Sequence, residues 1–595
     1  MNGDILRLSA AHEWVAHDPF GKPKPADVGQ VPPVITDESG AVCLKAARNG
    51  YVSFRVLVQG GGEYKISTRM GGRLEADVYK AWYHRMAAKE GEPATWWPDA
   101  LVLTTGSKAH QLPCPDNRIE GQTTQEFWVD VFVPDDAKPG RVSGRVTLRV
   151  GKSTVTLPVR IQVLPSRIPD DPCITIDHNS YGCRFLRGLF PKTFGKNPQG
   201  EKLWGNAIDL LHDYHRLIYE HRGLLSNLGY GHSGSYDPIY APAMQGSGRD
   251  KKLVDWELFD RYHGPLLDGS AFASPATSAP HARRRPKPIW GMYAPFNPAF
   301  PANYLHYGEK GFEVEFVNGV RDFDAHLQEK GWTRSRMAFY LNHKKRYRWF
   351  GWDGDEVKDI KDMKYQMEFV RLWETAIEGS PVPWLYRMDA SWQMKNIFPM
   401  MEGHANFWVC GGFHRWYPNE IAEVVDRGDT TWWYNGTADV TAASSAILSI
   451  SYETWMRRMH GNCAWLSTGP GEDPWFNFNG GSTGIVFPGE RFGIKGPIPS
   501  CRLKIERNGI QDIDILNQVV EAAGNKETVQ AELREKIPIP IWKKPPRFAV
   551  EHPPEEWDSL NLEEEHEPEA RDIGRLDPGW FRTIRDFAVA KGGAE

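Results

Sequence analysis

Between about residues 40 and 165, apolar and polar positions alternate in short runs punctuated by turn residues. EFWVDVFVP (Glu126 to Pro134) alternates, DDAKPG follows as a turn, and RVSGRVTLRV and STVTLPVRIQVLP resume the alternation. A period of two is that of a strand with one face in a core and one in solvent, and several such strands in succession predict an N-terminal β-sandwich. After Pro165 the rhythm changes. CITIDHNSYG, from Cys173, is a short apolar run; LWGNAIDLLHDYHRLIYEHRG has helical spacing; LLSNLGYGHSG is apolar again. Strand, helix, strand predicts βα units. Further runs begin at Pro288 (PIWGMYAPF), Met337 (MAFYLNHKK), Pro381 (PVPWLYRMDASW), Asn406 (NFWVCGGF), Thr431 (TWWYNG) and Cys463 (CAWLSTG). About eight units fit a (β/α)8-like barrel.

The expected fold class is therefore multidomain, β plus α/β. It divides into an N-terminal β-sandwich over residues 1–168, a barrel over 169–520 and a charged, Pro- and Glu-rich C-terminal extension over 521–595. That extension ends in one helix-like stretch, PGWFRTIRDFAVAK. A chain of 595 residues exceeds what one hydrophobic core usually serves, which agrees with several units.

Composition narrows the partners. The 24 Trp, 21 Tyr and 27 Phe are many for a hydrophobic share of 41%, and flat aromatic faces suit both core packing and sugar rings. The 71 basic and 76 acidic residues are interspersed without a basic block, which argues against nucleic acid. No apolar run is long enough to span a membrane, and the opening MNGDILRLSAAHEWVAHDPF lacks the order of a signal peptide. A chain with no membrane partner is expected, with compartment and oligomeric state open. Seven scattered cysteines without a CxxC pair predict free, mostly buried thiols rather than disulfides or a zinc ribbon.

Polar residues directly after barrel strands are the first candidates for chemistry. Asp355 and Glu356, in GWDGDE before the helix-like MKYQMEFVRLWETA, could supply the two carboxyl functions of glycoside hydrolysis; alone, such a pair more often complements a helix dipole. Other strand-end candidates for substrate binding are Asp177, His178 and Asn179; Asn227, Tyr230 and His232; Arg387 and Asp389; and Trp433, Tyr434 and Asn435. An Arg-x-Asp at a strand end is more often a structural ion pair than a sugar clamp. His212, His215 and His221 share a helical segment but lack an HExxH pattern, so no metal is expected. GGSTG (Gly480 to Gly484) matches G-x-S-x-G outside a strand-to-helix turn, and no GxGxxG or P-loop has a suitable context, so neither a serine hydrolase nor a nucleotide cofactor is expected.

WVDVFVPDDAKPGRVSGRVTL resembles the sandwich segment that precedes the barrel in glycoside hydrolase family 123 and its uncharacterised relatives. GGSTGIVFPGERFGIKGPIPSCRLKIERNGIQDIDIL (Gly480 to Leu516) is similar to their ending, and HRGLLSNLGYGHSG, DWELFDRYHGPLLDGSAF, FYLNHKKRYRWFGW and PWLYRMDASW resemble segments between. The resemblance runs from about residue 120 to 520. It implies a retaining exo-β-N-acetylhexosaminidase with substrate-assisted catalysis, a carbohydrate substrate and no cofactor. Asp355 would stabilise the 2-acetamido group as it attacks the anomeric carbon, and Glu356 would be the general acid/base. Two departures stand out: Val357 replaces the usual Pro, and Trp352-Asp353-Gly354 replaces the apolar residues that lead to the pair. A second alignment sets Asn342-His343 in the place of the acids, which would leave a non-catalytic carbohydrate-binding relative.

Overall fold

The computed structural model describes residues 6–24, 35–88, 91, 93–229, 236–298, 300, 307–345, 351–357, 360–389, 394–411, 418–523, 528, 531–533 and 578–592. Ten strands come first: β1 Arg7–Ala11, β2 Val42–Arg48, β3 Gly50–Gln59, β4 Gly62–Met70, β5 Glu75–Arg85, β6 Trp96–Thr104, β7 His110–Leu112, β8 Thr124–Val133, β9 Gly140–Val150 and β10 Ser153–Arg167. They form two five-stranded sheets, β1-β3-β8-β5-β6 and β2-β10-β9-β4-β7. Phe127, Val129, Val131 and Val133 of β8 share one apolar core with Val146 and Leu148 of β9 and Val159 and Ile161 of β10.

The alternation in β9 and β10 behaves as the sequence predicts, every second residue being turned outward over residues 141–145 and 154–160. β8 does not. All ten of its residues are buried, and its polar set, including Glu126 and Asp130, is covered rather than solvated. What covers it is α10 (Cys501–Ala523), a helix from the far end of the chain. Asp130 accepts two bonds from Arg507 (2.7 and 2.8 Å), one from Lys504 (2.7 Å) and one from Ser53 (2.6 Å). Burial alone would raise the Asp130 carboxyl, but Arg507 and then Lys504 hold it well below the usual carboxylate range.

After β10 come β11 Thr175–His178, β12 Ser180–Tyr181, α1 Phe185–Leu189, α2 Pro191–Phe194, α3 Gly200–Glu220, β13 Asn227–Leu228, the antiparallel pair β14 Ala243–Gln245 and β15 Lys252–Val254, α4 Glu257–Leu267 and β16 Gly291–Tyr293. Then follow α5 Phe312–Glu329, β17 Arg336–Phe339, α6 Met363–Ile377, β18 Trp384–Asp389, α7 Met394–Met401, β19 Phe407–Cys410, α8 Pro418–Asp426, β20 Thr430–Asn435, α9 Ser444–Met456 and β21 Gly461–Ala464. Seven of these strands pair in parallel in the order β11-β21-β20-β19-β18-β17-β16. The sheet is curled: Trp290, just ahead of the edge strand β16, packs on Trp432 of β20 with ring centroids 4.8 Å apart.

Each of the eight apolar runs yields a strand or lies beside one, but the pairing differs from a ring of eight equal strands. The segment after α3 touches β11 through an isolated parallel bridge, Asp177 to Leu224, and pairs with β12 only at Asn227 and Leu228. Strands covered on both faces read as continuous apolar runs, which is why the sequence located them well.

α10 joins the two parts. Lys504 and Arg507 face β8, while Glu506 reaches His178 of β11 and Asp514 reaches Arg222 after α3. The terminal helix α11 (Pro578–Gly592) packs on α10 and α9; its Arg585 donates to Asp512 (2.7 Å), pairs with Glu13 and lies over the Trp14 ring.

Candidate functional site

The C-terminal ends of the parallel strands gather one polar and aromatic cluster. β17 ends at Phe339, so Asp355 and Glu356 do not lie on the strand end that the sequence assigned to them; they lie on the loop that follows. That loop folds back because the carbonyl of His343 accepts the N–H groups of both Gly354 and Asp355 (3.0 Å each). Gly354 is required there: a Cβ would stand 2.4 Å from the Leu341 carbonyl oxygen and 2.7 Å from the His343 ring. Asp353 accepts from the Lys345 N–H (2.7 Å), Asp362 accepts from the Asp353 N–H (2.9 Å), and Gln366 donates to the Gly354 carbonyl (2.9 Å). Trp352 stacks on Tyr365 of α6 and meets the His343 ring edge-on. The unexpected Trp-Asp-Gly is therefore what clips the loop to the sheet, and the two alignments that competed for the acid position meet in one place. Glu356 adopts a left-handed backbone (φ 48°), a strain of roughly 1 kcal/mol for a residue with a Cβ.

Asp355 is buried, and its Oδ1 accepts from the Tyr340 hydroxyl (2.5 Å). Glu356 accepts from the Tyr434 hydroxyl at Oε1 and from Lys344 at Oε2, and the same ammonium stands 3.4 Å from Oδ2 of Asp355. Burial works to lower the Lys344 pKa, but Asp355 and Glu356 together raise it.

Arg387 extends the cluster. Its guanidinium lies 3.9 Å over the Tyr340 ring, donates to the Tyr293 hydroxyl (2.6 Å) and pairs with Asp389 at 3.3 Å. The Arg-x-Asp ion pair is thus real, and it stands on the aromatic floor of the same cluster. Tyr181 completes the rim: its hydroxyl accepts from the Trp465 indole N–H (3.1 Å) and faces the Asn342 side chain, and burial followed by Asp355 pushes its phenol up to about 12. Trp465 is 47% exposed, which is unusual for so large an apolar side chain.

The remaining sequence candidates divide. Burial pushes the Asp177 carboxyl up to about 6; its Oδ1 accepts from the Ser226 N–H (2.9 Å), and Arg387 and His178 act on it through space. Asn435 hands its carbonyl to the Trp465 N–H (2.7 Å). Asn227 donates to Ser180 and to the Gly182 carbonyl, and Asn179 is buried with its carbonyl on Ser467. His178 turns away to Glu506 (2.8 Å) and Ser467 (3.2 Å), so it anchors α10. Trp433 also turns away, donating to Thr454 of α9 (2.8 Å) as a core residue. Tyr230 and His232 lie outside the described residues. Tyr181, Tyr293, Tyr340, Lys344 and Trp465 were missed, although each sits in or just beyond a run read as strand.

Among the described residues no group of three or more His, Cys, Asp or Glu side chains could hold a metal ion. His212 and His215 bind Tyr262 of α4, and His221 binds the Leu217 carbonyl; burial lowers the pKa of all three. None of the seven cysteines forms a disulfide.

One antiparallel sheet and one mixed sheet, in which β2 runs parallel to β10, joined to a curled parallel sheet with paired acids and aromatic rings at its C-terminal strand ends, define a β plus α/β architecture with a polar site. The chain is similar in fold to a family 123 glycoside hydrolase from Clostridium perfringens, described for its glycolipid glycan hydrolysis: TM-score 0.62 and 15% identity over 98% of this chain and 99% of that one. The family resemblance drawn from sequence segments is thus matched by shape over nearly the whole chain. The xylanase 10B modules of Clostridium thermocellum align over 84% of this chain and 93% of theirs, at TM-score 0.32 and 10% identity, a much weaker likeness. No family model and no curated protein matches the sequence.

Proposed function

We propose that the chain is a glycoside hydrolase, and specifically a retaining exo-β-N-acetylhexosaminidase that uses substrate-assisted catalysis. One observation carries this reading: buried Asp355 and half-buried Glu356, adjacent on a clipped loop, share a tyrosine-lined cluster at the C-terminal ends of parallel strands. In this reading the substrate's acetamido oxygen attacks the anomeric carbon while Asp355 accepts from the acetamido N–H. Glu356 gives its proton to the leaving oxygen, then takes one from the water that opens the cyclic intermediate with net retention. Tyr434 positions Glu356. Arg387, Asp389, Asn342 and Tyr181 bind sugar hydroxyls, and Trp465 supplies an apolar face. A general acid must carry a proton, so Lys344 has to leave Glu356 as substrate enters, which its four-carbon stem permits.

The Lys344 contact also favours a second reading, a carbohydrate-binding relative whose acids are locked in ion pairs. A screen of aryl β-glycosides, including the N-acetylgalactosaminide and N-acetylglucosaminide, separates the two. Turnover of either amino sugar with retention supports the hydrolase; saturable glycan binding without turnover supports the relative, and neither result leaves no glycan reading standing.

We further propose a division into a sandwich over residues 1–168, a barrel over 169–520 and an extension over 521–595. Limited proteolysis tests it: first cuts should fall near residue 168 or beyond 520, and cuts concentrated between 200 and 480 would refute the division.

A further inference from the structure

The opposite, N-terminal end of the parallel sheet has its own cavity, of about 290 Å³, at the lower end of the range for small-molecule sites. Its wall includes Arg222, Arg284, Lys287, Trp290, Arg334 and Arg336. Carboxylates offset part of this charge: Asp514 pairs with Arg222 at 2.6 Å, Asp171 pairs with Lys287 and stands 3.9 Å from Arg284, and Glu220 and Asp170 act through space on Arg284 and Lys287 respectively. Among the described residues neither Arg334 nor Arg336 makes an ion pair.

We propose that this cavity is a second binding site, for a small oxyanion-bearing metabolite, either a phosphate monoester or a polycarboxylate. Five cations surround so small a space, and with Arg334 and Arg336 making no ion pair among the described residues they leave an excess of positive charge that a neutral sugar would not relieve. The guanidiniums are pre-oriented: Arg284 lies 4.0 Å over the Tyr219 ring and is fixed by the carbonyls of Asp170 and Tyr219, and Arg336 lies 4.9 Å over the Trp290 ring. A planar donor fork held on an aromatic face loses little freedom when it takes an oxyanion in two-point fashion. Nε of Arg222, in a side chain only 7% exposed, has no hydrogen-bond acceptor, an arrangement that costs free energy unless something else supplies one. Burial also lowers the Arg336 pKa, with no carboxylate acting against it. The site is separate from the acid cluster, yet it shares strands with it. Thr175 and Trp290 line this cavity, while Asp177 and Tyr293 stand further along the same two strand segments at the other end.

The test is titration calorimetry on the full chain with glucose 6-phosphate, citrate and, as neutral control, glucose, on wild type, Arg336→Gln and Arg334→Gln. Arg334 is exposed, so its variant keeps the test valid if the other fails to fold. Saturable one-to-one binding of at least one anion, weakened at least tenfold in either variant and by added salt, with no response to glucose, is expected. Which anion binds tells phosphate esters from carboxylates. The proposal is overturned if neither anion saturates the wild type, if glucose binds equally well, or if both folded variants bind as the wild type does.

Discussion

Tyr434, on β20, donates its phenol to Oε1 of Glu356, on the loop beyond β17, so the far side of the sheet fixes one oxygen of the proposed acid/base. Tyr434→Phe keeps the ring and removes that bond. On the hydrolase reading kcat should fall by about 10- to 100-fold with KM little changed, and more for poor leaving groups than for activated aryl glycosides. A change confined to KM would mean that Tyr434 binds the sugar and does not position the acid.

Removing each carboxyl in turn should give opposite patterns. Glu356→Gln cannot donate a proton, so it should lower turnover of poor leaving groups by roughly 10²- to 10⁴-fold and spare the first step with activated aryl substrates. Asp355→Asn should depress both classes alike, since it removes stabilisation of the acetamido group rather than a proton. Steady-state kinetics on two leaving groups decides it; identical patterns for the two variants would refute the separate roles.

The exposed indole of Trp465 predicts a third result. An aromatic face at the rim of a sugar site contributes binding that is nearly the same in ground and transition states. Trp465→Ala should therefore raise KM about tenfold, leave kcat close to wild type and leave Tm unchanged. A lowered Tm with normal KM would make the indole a packing residue held by Tyr181.

What could be read from the sequence follows from how each signal is written in the chain. The apolar runs of strands β16 to β21 were legible because both faces are covered, so no alternation is needed to find them. For the same reason the runs did not say which residue faces which way. Trp433 and Tyr434 are equally apolar in the sequence, yet one packs on α9 and the other reaches Glu356. The alternation in β8 pointed to a solvated face that instead meets Lys504 and Arg507, more than 370 positions away, a partner no local pattern records. Spacing and resemblance single out Asp355 and Glu356 as candidates, but the fold-back through His343 that brings them to the sheet depends on backbone bonds outside any side-chain pattern.

Asp130 gives a stability prediction. Arg507 and Lys504 are both almost fully buried, and burial already brings the Lys504 ammonium down to about 8. Asp130→Asn leaves two buried cations without their counter-charge, and removing one partner of such a group costs about 3–5 kcal/mol. Thermal and urea unfolding should show a loss of that order. A loss below about 1 kcal/mol would mean that water or other groups replace the carboxylate, and that α10 is not held to β8 through this residue.

Asp177 gives the last, and its sign is opposite to that of an ordinary salt-bridged carboxylate. Its native pKa, pushed up to about 6 by burial, lies above the ordinary value of 3.8. As pH rises past about 4, the unfolded chain gives up this proton while the native chain keeps it, so the native state is progressively disfavoured until about pH 6 and no further beyond. At about 1.4 kcal/mol per unit the whole effect is on the order of 3 kcal/mol. Asp177→Asn retains an oxygen for the Ser226 N–H and never ionises. Relative to wild type, the variant should therefore gain stability between pH 4 and 6, with the gain constant from pH 6 to 8. Urea midpoints at pH 4.5, 6 and 7.5 measure it. A difference between the two proteins that does not change with pH would show that Asp177 ionises as easily in the fold as in the unfolded chain.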